Sequence, residues 1–230
     1  MVAALAFCEL NQPLSTRRLP PALLKEAAEM GVRRAATFLA GRALLAELMF
    51  LLFNQPMLPE IIMSTSGKPV FTDPSLPYFN LSHSGDRLVV VISDFGPVGC
   101  DIEINRQRRG LTALAAEFFS PAENQWLKTH PSPQTAFWQL WCLREALLKQ
   151  RGEGIWAMPS IQLNPVQHTF SAECKGAHLL IRSTETLILS VALPAMADQL
   201  QHWCLNADKS QLEKGAELSW QQFKPELAPR

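Results

Sequence analysis

Hydrophobic and polar positions along the chain predict helix followed by strands, and then the same order again. Residues 3–9 (AALAFCE) form a short apolar run that predicts a strand. Pro20 and Pro21 then precede a helical region over about 22–53, in which Gly31 and Gly41 are possible interruptions. Residues 54–77 contain five prolines and little periodicity, so they predict loop with a short strand near 60–64. YFNLSH at 78–83 predicts a strand that ends in a loop at Ser84-Gly85. LVVVI at 88–92 and VGCDIEI at 98–104 flank a turn-rich spacer, SDFGP, and predict an antiparallel pair.

The second half repeats the order. Helical sequence is expected over 112–119 and about 134–150. After Gly152-Glu153-Gly154 the period changes, and IWAMPSIQL, HLLIRS, TLILSVAL and QHWCLNA predict three or four strands. The tail from about 207 is polar and reads as peripheral. The expected class is therefore α+β, with an N-terminal lobe over 1–105 and a C-terminal lobe over 106–230, meeting near 105–110. Such an order would suit a duplicated lobe, although no residue-level repeat establishes one.

Composition narrows this picture. At 230 residues and 47% apolar, the chain can bury a substantial core. Its 21 basic and 21 acidic residues cancel, which gives no reason to expect a nucleic-acid partner. Cysteines at 8, 100, 142, 174 and 204 have neither paired metal spacing nor the even count of a disulfide framework, and they suit a reducing cytoplasm. The N-terminal stretch MVAALAFCEL lacks a basic lead and carries Glu9, so it does not read as a signal peptide. FLAGRALLAELMFLLF contains Arg42 and Glu47 and ends in only six uninterrupted apolar residues, against roughly 20 for a membrane span. A soluble, cytoplasmic protein is expected.

Candidate chemistry lies in two stretches. On a strand over 98–104, alternation puts Asp101 and Glu103 on one face and Cys100, Ile102 and Ile104 on the other. Adjacent carboxylates need water, a base or a cation, and hard oxygen ligands suit Mg²⁺ where phosphate completes its shell. An exposed strand face entering a polar loop would account for the same pair. On the helix 138–149, WQLWCLREALLK, Phe137, Leu140, Leu143 and Leu147 form a core stripe. Trp141, Glu145 and Lys149 follow at i, i+4 and i+8 on a neighbouring one, with Trp138 close by. A Glu145–Lys149 pair stabilises a helix by roughly 0.2–0.5 kcal/mol without any catalytic role. Lys68 in a Gly-Lys-Pro turn and His83 in LSHSG could each face an anion or simply decorate the surface. Arg42 is more suggestive, because it interrupts a leucine-rich helix, whereas Arg33 and Arg34 read as solvent-facing.

GKP at 67–69, NLSHS at 80–84, GCDIE at 99–103, FFSPAE at 118–123 and WCLREALLK at 141–149 together resemble the phosphopantetheinyl transferases. The resemblance is to the larger, two-lobed class typified by the surfactin-synthetase activating enzyme. It implies two similar α/β lobes forming a pseudo-dimer in one chain, with antiparallel sheets, long packed helices and an active site where the lobes meet. The implied reaction is Mg²⁺-dependent transfer of 4′-phosphopantetheine from coenzyme A to a serine of an apo carrier protein, releasing adenosine 3′,5′-bisphosphate.

By the same resemblance, Asp101, Glu103 and Glu145 match the carboxylates that gather Mg²⁺, and Glu145 also matches the position given a general-base role. Glu123 matches a further acidic position, sometimes a metal or water partner. Lys149 matches the lysine that contacts phosphate and assists the leaving group. Arg42, Lys68 and His83, with Ser82 beside them, match positions that hold the coenzyme's phosphates. Similarity to compact bacterial holo-acyl-carrier-protein synthases points to acyl carrier protein as partner and to a role in fatty-acid and lipid biosynthesis. A monomer with no membrane or nucleic-acid partner is implied. An acidic carrier helix would need a positive surface, and Arg106, Arg108 and Arg109 are candidates for it.

Two positions depart from the common pattern. Arg144 stands where lysine is usual; its stem is expected to pack while its head reaches out. Cys100 replaces an aliphatic residue and is expected to pack as a small hydrophobe. A Mg²⁺-dependent nucleotide hydrolase, or a non-catalytic module binding coenzyme A or a carrier protein, would share these side chains. Only the transferase would require the carrier's serine.

Overall fold

The computed structural model describes residues 1–171, 177–197, 199–206, 208 and 210–226. In chain order the elements are β1 (Ala3–Glu9), α1 (Pro21–Ala28), α2 (Val32–Phe53), β2 (Ile61–Met63), β3 (Pro69–Phe71), β4 (Tyr78–Ser84), β5 (Arg87–Ser93) and β6 (Gly99–Ile104). Three helices follow, α3 (Leu111–Phe118), α4 (Pro121–Thr129) and α5 (Pro133–Arg151), and then a 3-10 helix over Ile155–Ser160. The remaining strands are β7 (Leu163–Asn164), β8 (Thr169–Phe170), β9 (Ala177–Ser183), β10 (Leu187–Pro194), β11 (Gln201–Asn206), β12 (Gln211–Lys214) and β13 (Gln221–Pro225). The class is α+β.

The chain divides into two compact units. The first comprises Met1–Gly96 and Ala197–Leu218, and the second Pro97–Met196 and Ser219–Arg230. The first unit holds a five-stranded sheet in the order β12-β11-β1-β5-β4 and a β2–β3 ribbon. It is antiparallel except where β1 runs parallel to β11. Helix α2 is long and apolar enough to cross a membrane by composition alone, but in this fold it is a core helix. Its buried Leu44, Leu45, Leu48 and Met49 pack with Ala4, Ala6, Val90 and Ile92 of the sheet. Glu47, also buried, is paired with Arg18 at 3.1 Å. Gly31 caps α2 at its start, whereas Gly41 lies within the helix without breaking it.

The second unit packs α3, α4 and α5 with a six-stranded sheet, β6-β10-β9-β13-β8-β7. This sheet is antiparallel except where β13 runs parallel to β8. The core stripe expected of α5 is observed: Phe137, Leu140, Leu143 and Leu147 are all buried. Pro133 opens this helix at a position where no N–H is needed. Gly152 ends it in the left-handed conformation, φ 71° and ψ 30°.

Three sequence expectations are corrected. Strands β5 and β6 are not paired, because β1 and β4 take both edges of β5, and β6 joins β10 in the second unit. The stretch 155–160 is 3-10 helix rather than strand; its Pro159 has no N–H to give a ladder. The polar tail contributes β12 and β13, each held by one buried apolar side chain, Leu212 and Phe223.

Candidate active site

In the second unit, β6 lies against α5, and Gly99 sets how closely. A Cβ on Gly99 would stand 2.0 Å from the Ala146 carbonyl oxygen and 2.4 Å from the Gln150 nitrogen, both in the backbone of α5. Hydrogen at this position is therefore what lets strand and helix touch. Alternation carries the same face of β6 from Gly99 to Asp101 and Glu103. The carboxylates consequently face α5 instead of forming the exposed strand face that their spacing also allowed.

Helix α5 answers with Cys142, Glu145 and Lys149. Lys149 Nζ donates to Asp101 Oδ1 at 2.6 Å and lies 3.8 Å from Glu145 Oε2. The i,i+4 pair expected on the helix is thus the longer contact, and the bond to the strand is the shorter. Asp101 is buried, while Glu145 and Lys149 keep 20% and 29% of their side chains accessible, enough for a reactant to reach them. Cys142 is fully buried behind this group; its thiol donates toward the Ile188 carbonyl and is coupled to Asp101 by a further hydrogen bond.

The charges interact strongly. Burial lifts the Glu145 carboxyl above the usual range; Lys149 opposes the rise, and the neighbouring Asp101 and Glu103 add to it. Burial also works against the charge on Lys149, but Asp101 and Glu145 outweigh it and hold the ammonium above its ordinary range. The Cys142 thiol is pushed well up by burial, reinforced by Asp101 and Glu103, so it stays protonated at neutral pH.

Asp101, Glu103 and Glu145 offer only carboxylate oxygens, which fit a hard divalent cation in kind. Among the described residues, no three His, Cys, Asp or Glu side chains are gathered at metal-holding distance. The ammonium of Lys149 stands against two of them, Asp101 and Glu145.

Glu123 is placed differently from these three. It is fully buried, and its Oε1 accepts from Arg144 Nη2 and from the Leu163 nitrogen at 2.8 Å, while its Oε2 accepts from the Ser120 nitrogen at 2.7 Å. Its partners are thus the first turn of α4, α5 and β7. Arg144 is also fully buried, head included, contrary to the expectation that its head would reach out. Cys100 is buried as expected.

In the first unit, the coenzyme-phosphate candidates divide between two sheet faces. His83 lies on the side of β4 shared by Phe79 and Leu81, and Leu81 abuts Gly41, next to Arg42 on α2. Ser82 lies on the opposite side with Asn80 and Ser84, all three buried. Arg42 has a buried Nε without a hydrogen-bond partner among the described residues. Its pKa is lowered by burial, against which Glu26 acts. Lys68 sits in the β2–β3 turn, where its backbone nitrogen donates to Ser64 Oγ at 3.1 Å.

Sequence reasoning assigned no role to Gly99 or Cys142. Gly99 stood inside the quoted GCDIE, but a close approach is invisible until the facing helix is known.

The family model of the 4′-phosphopantetheinyl transferase superfamily matches residues 97–189, the span holding β6 and α5. A 4′-phosphopantetheinyl transferase AcpT of Escherichia coli K12 is 40% identical over 184 residues, covering 79% of this chain and 86% of that protein. The chain belongs to the 4′-phosphopantetheinyl transferase superfamily. The AcpT of Salmonella typhimurium is 37% identical over 183 residues, covering 79% of this chain and 87% of its own length. A putative 4′-phosphopantetheinyl transferase of Haemophilus influenzae is 31% identical over 192 residues, covering 78% and 81%. The acidic strand and the catalytic-helix candidate of this phosphopantetheinyl transferase thus both fall within the segment that the family model recognises.

Proposed function

We propose that this chain transfers the 4′-phosphopantetheine arm of coenzyme A to a serine of an apo acyl carrier protein, releasing adenosine 3′,5′-bisphosphate. The observation that carries the proposal is the Lys149 ammonium bonded to Asp101 and flanked by Glu145, inside the segment matching the family. In the reaction the serine oxygen forms a bond to the β-phosphorus while the bond from that phosphorus to the bridging pyrophosphate oxygen breaks. Such transfers depend chiefly on positioning and charge neutralisation. Lys149 balances charge on the pyrophosphate and on the departing bisphosphate. Glu145 receives the serine proton, on its own carboxylate or through a water that it orients.

Asp101, Glu103 and Glu145 would hold Mg²⁺, which supplies Lewis-acid stabilisation of the phosphate oxygens when bound. Glu123, assigned to the metal by resemblance, is left out of this set because its oxygens are engaged with Arg144, Ser120 and Leu163. Arg42, Lys68 and His83 are assigned to the coenzyme's phosphates, supported by the Arg42 Nε, which is buried without a hydrogen-bond partner among the described residues; Ser82, buried on the other face of β4 from His83, is left out. Arg106, Arg108 and Arg109 form an exposed basic loop, suited to an acidic carrier helix. Each unit sets a long helix against a mainly antiparallel sheet, α2 in the first and α5 in the second, which supports the reading of two similar α/β lobes. A cytoplasmic enzyme fits the four free thiols among the described residues, and a monomer is what the two-lobed resemblance implies.

Chromatography of the nucleotide product tests the proposal. Adenosine 3′,5′-bisphosphate should accumulate from coenzyme A only when apo acyl carrier protein is added. Accumulation with water alone would instead establish the hydrolase.

A further inference from the structure

We infer that the buried Arg144–Glu123 ion pair is a positioning device that fixes the rotation of α5, and with it the placement of Glu145 and Lys149. The inference rests on the transferase reading above for its kinetic consequences. Glu123 combines four contacts in one carboxyl residue. It closes a capping box with Ser120, receives the Leu163 nitrogen and binds Arg144. Arg144 in turn donates from Nη1 to the Leu140 carbonyl at 3.3 Å and lies 4.5 Å over the Phe119 ring. One anchor therefore joins α4, α5 and β7.

Arg144 precedes Glu145 by one residue, about 100° around the helix. On its other side, α5 rests against β6 at Gly99, where the backbones meet. A smooth helix seated on a glycine contact can still turn about its own axis. The buried guanidinium favours one setting, because any turn pulls a charge away from Glu123, its only ionic partner among the described residues. Net stability alone does not account for this arrangement. Burying two charges costs several kcal/mol per ion, and well-packed apolar substitutes are often as stable. Positional definition is what a buried pair of this kind adds.

The pair also has a donor to spare. Arg144 Nε is buried without a partner among the described residues. The anchor rests on the charge opposite Glu123, which lysine keeps while giving up the second bond to the Leu140 carbonyl and the planar stack on Phe119.

The test compares Arg144→Lys with the doubly neutral Glu123→Gln/Arg144→Met variant, using two independent readouts. In carrier transfer, the neutral variant should keep a near-wild-type melting temperature and KM for coenzyme A while kcat falls by up to about 100-fold, the scale of a 1 Å misplacement. Arg144→Lys should retain most of the kcat. Separately, acylation of Lys149 by an N-hydroxysuccinimide ester, read by peptide mass spectrometry, should be slow in wild type and Arg144→Lys and faster in the neutral variant. Unchanged Lys149 labelling in a folded neutral variant would overturn the inference, as would unchanged kcat. If wild type transfers nothing, the transferase reading fails, while the labelling still decides the positioning claim.

Discussion

Lys149 donates a hydrogen bond to Asp101 across 2.6 Å, joining the last turn of α5 to the middle of β6. This bond links a structural element to a chemical one, since it both fastens the helix and places an ammonium beside two carboxylates, Asp101 and Glu145. Lys149→Ala should lower stability by about 1–3 kcal/mol, because a buried carboxylate loses a charged donor. Transfer should fall as well, while the far-ultraviolet dichroism of the folded protein is retained. Urea denaturation and steady-state turnover measured on the same sample check both. Unchanged stability would place the pair among surface contacts of little consequence.

Gly99→Ala tests the close approach. Its methyl would collide with the backbone of α5 at Ala146 and Gln150, where no side chain can swing aside. Forced separation should destabilise by about 1–3 kcal/mol and reduce kcat. A variant with wild-type melting and turnover would show that α5 can withdraw without consequence.

The pH dependence of stability follows from Glu145. Its folded pKa is raised, first by burial, so ionisation is costlier in the native state than in the unfolded one. The stability lost through this group is absent below its unfolded pKa, about 4.3, grows as pH rises from there to the folded value, and is constant above it. In metal-free buffer Glu145→Gln should therefore melt above wild type at pH values above the folded pKa, and the difference should close as the solution is acidified. Lys149 acts at the other end of the scale. Its raised pKa keeps its contribution intact through neutrality until strongly alkaline pH. A constant difference across the acid range would refute the assignment to Glu145. Loss of transfer in the same variant would be consistent with its proton-accepting role.

Much of this was legible in the sequence because it depends on local periodicity. The α5 stripe Phe137, Leu140, Leu143 and Leu147 is a helical repeat, and the common face of Asp101 and Glu103 is a strand repeat. Helix α4 is also written locally, in Ser120, Pro121 and Glu123 of a capping box, and the resemblance that makes Glu123 an acidic site position masks this helix start. What escaped was long-range. Nothing in LVVVI says that both its edges are already taken, and nothing around Leu212 or Phe223 marks one apolar residue as sufficient for a strand. Glu123 and Arg144 are 21 residues apart, so only the packed fold reveals that each is the other's counter-ion.

The basic loop gives a kinetic prediction. Replacing Arg106, Arg108 and Arg109 by glutamate should lower kcat/KM for an acidic carrier through slower encounter. The gap from wild type should narrow above roughly 0.15 M salt, where the Debye length falls below about 8 Å. Stopped-flow association at several ionic strengths measures it. A salt-independent gap would move the docking surface elsewhere.

Intact-mass spectrometry of apo acyl carrier protein, incubated with this enzyme, coenzyme A and Mg²⁺, tests the central claim most directly. The account predicts that the carrier gains one phosphopantetheine, and that EDTA or replacement of the carrier's serine by alanine abolishes the gain. A carrier mass unchanged by folded, coenzyme-bound enzyme, across acyl, peptidyl and polyketide carriers, would contradict it.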